Sequence, residues 1–192
     1  MAKKYSFKPD RIKTNILSKL YLTQTQRRTI LKWSLYGLML LVLSLLQDVV
    51  LCRFRIGGST TELLPCAIFL ICLIEGSESG SIFTLVAASL YLFSGSAPGV
   101  YSLIFITILG IGMTILRQAY FQKGFMAALV CVAGAMFIYE LLVFAIGLFL
   151  GLTVFGRIFG FLLTAGLSLI SVPILYPIVL AIASIGGQTW KE

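Results

Sequence analysis

The residue best placed to do chemistry in this chain is Glu140, which stands about fifteen residues into the apolar run FMAALVCVAGAMFIYELLVFAIGLFL. An ionised carboxylate at the centre of a membrane-spanning helix costs about 2.5–3.5 kcal/mol on insertion scales, so it must face protein or water and find a partner. Two roles meet that requirement. As a structural group, Glu140 bonds to Tyr91, Ser168 or another hydroxyl and ties a helical bundle together. As a functional group, it relays protons or holds a cationic ligand. A relay needs several titratable groups in line and one is visible, so the structural role is the simpler expectation.

Other chemistry is sparse. The chain has no histidine, hence no imidazole base or ligand, and Cys52, Cys66, Cys72 and Cys131 show no metal-binding spacing. They read as buried free thiols. No phosphate-binding loop, nucleophile elbow or carboxylate-rich metal motif is present. No nucleophile, base and orienting group can be assembled, so no enzyme and no cofactor is expected. Asp48 is expected to pair with Arg53 or Arg55, and Glu75 and Glu78 to be solvated carboxylates of a turn.

The elements that must position Glu140 follow from composition. A chain that is 59% hydrophobic and only 11% charged, with a mean hydropathy of +1.01, lies far from soluble domains, which are about 45–50% apolar and about 25% charged. Runs approaching the roughly 20 residues needed to cross a bilayer make it an all-α polytopic membrane bundle, since each segment must satisfy its own backbone. No alternating strands of a barrel appear, and no cleavable signal peptide is evident.

Six spans are expected, at residues 33–51, 62–74, 80–93, 100–116, 125–150 and 158–185. The second and third are too short to cross fully unless flanking turn residues extend them, and a re-entrant hairpin is the alternative for this pair. Pro65 is tolerable in the first turn of its helix. Pro173 and Pro177 predict a kink in the last helix whose freed carbonyls are satisfied by neighbours such as Ser168 or Ser171.

Residues 1–32 hold nine Lys/Arg against one acid, and the remainder is balanced. This basic tail, including Lys13, Lys19, Arg27 and Arg28, is drawn to anionic headgroups, and its apolar positions Ile12, Ile16, Leu17, Leu20 and Tyr21 share one face of an interfacial helix. Nucleic-acid binding is not required to explain it. With both termini inside, twelve basic residues lie on the cytoplasmic side against three outside, which satisfies the positive-inside rule. The chain then divides into an interfacial tail (1–32), a six-helix transmembrane domain (33–187) and a short cytoplasmic tail (188–192).

The stretch GSESGSIFTLVAASLYLFSGSAPGV, residues 76–100, reads as the centre of organisation: two tight turns around a short helix with Gly80, Thr84, Ala87 and Ala88 at helical spacing. Such a stripe lets another helix approach closely, and an ordinary packing face is its simplest use.

From these residues a family likeness emerges. SLYLFSGSAPGVYSL after a small-residue helix, then a loop with Arg117 and Lys123, then IYELLVF, resembles the bacterial rod shape-determining MreD family over roughly residues 46–182. Glu140 falls where that family commonly has an intramembrane acid, and Gly95, Pro98 and Gly99 fall in its glycine turn. Tyr91 stands where the family often has an aspartate, and the family's Pro-Asp pair before the second helix is rearranged here as Glu62 followed by Pro65. The resemblance implies a non-enzymatic subunit of the elongation machinery in the bacterial inner membrane. Its partners would be an MreC-like bitopic protein and, through it, an MreB-like filament and cell-wall synthases. The small-residue faces of the third to fifth helices would meet the partner's helix. The family's fold is similar to that of substrate-binding subunits of energy-coupling-factor vitamin transporters, so capture of a vitamin-like molecule is the rival expectation. Against it, the first helix lacks paired small residues four apart, and the outer loops are short.

Overall fold

A helix that is apolar all round belongs where every side meets protein. Between Leu63 and Ile74 the run LLPCAIFLICLI carries nothing more polar than two cysteines. The structure, a computed structural model, describes residues 24–53, 59–76, 78–120 and 124–185. Among these the protein is all-α, with α1 (Gln24–Val49), α2 (Leu63–Glu75), α3 (Glu78–Phe93), α4 (Tyr101–Tyr120), α5 (Phe125–Phe149), α6 (Ile158–Leu169) and α7 (Val172–Ile185). α2 is buried along its whole length, and every other helix touches it. The centre of organisation is therefore α2, not residues 76–100, which build one wall around it.

Burying a helix entirely requires partners for its terminal backbone groups, because four N–H groups at its start have none within the helix. The bundle supplies them. The Glu62 N–H donates to Ser168 Oγ (2.8 Å), and the Leu63 and Leu64 N–H groups both donate to Gln47 Oε1 (2.9 and 3.1 Å). Pro65 has no N–H to satisfy. At the other end Gly76 adopts the left-handed conformation (φ 48°) and its N–H donates to the Cys72 carbonyl (2.9 Å), closing the helix in the way a residue with a Cβ does at a cost. Gln47→Leu is expected to lower stability by about 1–3 kcal/mol, since it leaves two buried donors unmet. Thermal unfolding of the purified protein in detergent, compared with the neutral exchange Leu46→Met at an exposed neighbour, checks this.

Differences from the expected boundaries have local causes. α1 begins at Gln24, nine residues earlier than hydropathy suggests, because Arg27, Arg28 and Lys32 are good helix formers even though they end the apolar run. The expected last span is two helices bent by 48°. Pro173 cannot donate to the carbonyl four residues earlier, and around the break Ser171 Oγ donates to the Ser168 carbonyl (2.6 Å) and Ser168 Oγ to the Thr164 carbonyl (2.7 Å). The two serines stand at the break as expected, but the carbonyls they bond are those of Ser168 and Thr164, not the Leu169 carbonyl that Pro173 leaves without its helical donor. Pro177 lies within α7.

Gln26–Val49 and Phe125–Phe149 are long and apolar enough to cross a membrane, and the bent α6–α7 pair is a third such unit if taken as one broken span rather than a re-entrant loop. α2, α3 and α4 contribute shorter apolar segments. Leu38, Leu45, Ile82, Ile108, Val130 and Ile174 are exposed. An apolar perimeter of this kind fits a lipid surround.

Candidate functional site

Glu140 lies on the inward face of α5 with only 2% of its surface exposed. Neither expected partner reaches it. Tyr91 donates its hydroxyl to Glu62 Oε2 (3.0 Å) instead, and Ser168 is occupied by the Glu62 N–H and the Thr164 carbonyl. Glu140 Oε1 is left buried with no hydrogen-bond partner. Glu62, at the N-cap of α2, lines the same cavity as Glu140. A second acid, separated by 78 positions in sequence, thus stands beside the one that the sequence singled out.

The two carboxyl groups line one cavity of about 710 Å³ together with Ser59, Arg157, Gly160 and Thr164. Two of its hydroxyls are already committed as donors: Ser59 Oγ (2.8 Å) and Thr164 Oγ1 (3.1 Å) both donate to the Gly160 carbonyl. Their lone pairs, and those of the carboxyl groups, remain. The exposed guanidinium of Arg157 sits at the edge of this acceptor-rich lining. Glu62 was missed because an acid next to a turn reads as solvated. The available signal was its position directly before a run with no polar face.

At the opposite end of α2, a second group of charges corrects another expectation. Glu75 is not a solvated turn residue but is 3% exposed. It accepts from Lys32 Nζ (2.7 Å) at Oε2 and from the Tyr36 hydroxyl (2.7 Å) at Oε1. Arg117 packs across Gly76 beside it, so close that a Cβ on that glycine would lie 1.9 Å from Arg117 Cδ. Lys32 also stands 5.2 Å from the Trp33 ring centroid. With Glu75 buried and both its carboxylate oxygens hydrogen-bonded, this cluster ties α1 to α2.

The small-residue stripe is filled from within. Thr84, Ala87 and Ala88 are buried, as are Gly80 and Tyr91. Thr84 Oγ1 donates to the Gly80 carbonyl (2.8 Å) and lies 2.7 Å from Cys72 Sγ, while its methyl faces Gly110 of α4. The stripe therefore joins α3 to α2 and α4, and its buried members offer no open face to another protein's helix. Gly95 (φ 79°) ends α3, and Gly95 and Pro98 are exposed while Gly99 is partly covered. Among the described residues Asp48 does not pair with Arg53; it accepts from Ser96 Oγ, joining α1 to this turn, and Arg55 lies outside the described residues. So do Lys13 and Lys19 and the expected interfacial helix around them, whereas Arg27 and Arg28 are exposed on the first turns of α1.

Cys66 and Cys72 are buried free thiols, and no group of three metal-ligating side chains occurs among the described residues. Comparison with protein-family models, with curated proteins and with solved structures finds no match to this chain.

Proposed function

We propose that this chain is a non-enzymatic, MreD-like subunit of the bacterial cell-shape and elongation machinery. It sits in the cytoplasmic membrane and regulates cell-wall synthesis by helix–helix contact with an MreC-like bitopic protein. The observation that carries the reading is an apolar perimeter interrupted by small residues. Gly112 on α4 and Gly134 on α5 are exposed, and a Cβ at either would meet nothing within 4 Å. Among exposed Ile108, Ile115, Val130 and Ile138, such gaps let a second backbone approach closely in lipid, where packing rather than the hydrophobic effect drives association. We therefore put the contact face on the outer sides of α4 and α5, because the α3 stripe is buried.

In this reading six segments cross the membrane, with α6 and α7 counting as one bent span and both termini in the cytoplasm. Lys32 and Arg117 meet at one end of the bundle, while Arg53 and Arg157 follow and precede helices at the other. That separation agrees with the positive-inside rule. α2 is roughly 20 Å long at 1.5 Å per residue, but its length need not match the bilayer because protein, not lipid, surrounds it.

Gly112→Leu and Gly134→Leu fill open space, so the protein should remain folded. Recovery of an MreC-like bitopic protein with the tagged chain in mild detergent is expected to fall about tenfold or more in the double variant. Unchanged recovery would discard this face. A second reading, the substrate-binding subunit of a vitamin transporter, draws on the cavity at Glu62 and Glu140. Co-purification of transporter ATPases with a bound vitamin-like molecule, in place of the bitopic protein, would establish that reading instead.

A further inference from the structure

The cavity around Glu62 and Glu140 leaves Glu140 Oε1 without a hydrogen-bond partner, and its chemistry is selective. Its lining presents the carboxyl oxygens of Glu62 and Glu140 and the lone pairs of Ser59 and Thr164, whose protons are already given to the Gly160 carbonyl, with the Thr60 hydroxyl beside them. Buried acceptors without donors are unfavourable, and Glu140 Oε1 is such an acceptor. A ligand that satisfies this lining must bring hydrogen-bond donors, and two carboxyl groups facing one space favour a donor that also carries positive charge. A primary ammonium has three donors and no acceptor, whereas a quaternary ammonium has none to give. A cavity of about 710 Å³ would be left mostly empty by a bare cation.

Two further features give the rest of the ligand. Arg157 lines the edge of the same cavity, where a guanidinium suits a phosphate in bidentate fashion. An apolar groove of about 440 Å³, lined by Phe159, Gly160, Leu162 and Leu163 on α6, shares Phe159 and Gly160 with the polar cavity. A polar chamber that opens onto an apolar groove on a lipid-facing helix has the shape of an amphiphile. We propose that this site binds an aminophospholipid, its ammonium between Glu62 and Glu140, its phosphate at Arg157 and one acyl chain along Phe159, Leu162 and Leu163. The proposal stands whether or not the chain docks on a bitopic protein.

The test is lipid retention. Protein delipidated in detergent is placed in nanodiscs of equal parts phosphatidylethanolamine, phosphatidylcholine and phosphatidylglycerol, re-extracted, and its retained lipid is measured by native mass spectrometry. Phosphatidylethanolamine is expected to be retained over phosphatidylcholine by about tenfold or more, because only its headgroup offers N–H donors to the carboxylates. Glu140→Gln should abolish that preference. Arg157→Ala, a change at an exposed side chain that leaves folding intact, should weaken retention while keeping the order of headgroups. Equal retention of the three lipids, or a preference unmoved by both variants, would overturn the proposal in favour of ordinary boundary lipid. Soluble ethanolamine phosphate binding to the delipidated protein as tightly as the lipid would overturn it in favour of a free amine.

Discussion

Glu75→Leu is expected to destabilise the protein by about 3–5 kcal/mol, the largest effect of any single polar substitution in the described helices. The change strips Lys32 and Tyr36 of their shared acceptor at 2.7 Å each and leaves the Lys32 ammonium, in a residue 6% exposed, with no counter-charge against it. Lys32→Met is expected to cost less. There the Glu75 carboxylate keeps the Tyr36 hydroxyl and the nearby positive charge of Arg117. The double variant Lys32→Met/Glu75→Leu should recover most of the loss, because replacing both members of a buried ion pair by apolar groups of similar volume is often nearly neutral. Thermal unfolding of the four proteins in one detergent reads the cycle. Additive losses in the double variant would show that the two residues act through separate contacts and not as a pair.

The second large effect lies where α3 and α4 come together. A Cβ placed on Gly110 would stand 2.3 Å from Thr84 Cγ2 and 3.0 Å from its Oγ1. Thr84 cannot swing away freely, since its hydroxyl is held by the Gly80 carbonyl and beside Cys72 Sγ. Gly110→Ala should therefore force α3 and α4 apart and cost about 1–3 kcal/mol, as overpacking of a filled interior does. Gly112→Ala, two residues away in open space, should instead stabilise slightly, because alanine is the better helix former by about 1 kcal/mol. Thr84→Ser removes the clashing methyl but keeps the hydroxyl, so Thr84→Ser/Gly110→Ala should regain most of the loss. If both glycine variants melted alike, the close approach at Gly110 would not be a real constraint.

Much of the fold is legible in the sequence because apolar periodicity and length are local properties. α3, α4 and α5 begin and end within a few residues of expectation, and the Pro173–Pro177 region does bend, with the expected serines at the bend. What escapes is whatever depends on distant pairing. Nothing near Glu75 announces that Lys32, 43 residues earlier, will bury it, and nothing near Gln47 announces that its amide will receive the first turn of α2. The small-residue stripe was visible, but spacing alone does not say whether the approaching helix belongs to the same chain. Half of the candidate site was legible in the same sense. Glu140 is conspicuous because it interrupts an apolar run, whereas Glu62 stands at a helix start where acids are ordinary.

The envelopment of α2 also has a chronology. The chain makes α2 early, yet the groups that close around it arrive late: Ser171 reaches Cys66 of α2 across 105 positions, and Val179 of α7 supplies a carbonyl to Tyr36 of the neighbouring α1 across 143. While the ribosome is still adding α4 and α5, one flank of α2 has no protein to meet. The centre of the molecule is thus completed only by its last helix. A chain interrupted before α7 is not a smaller version of the protein but one with an open seam, and membrane quality control, not a gradual loss of function, should decide its fate.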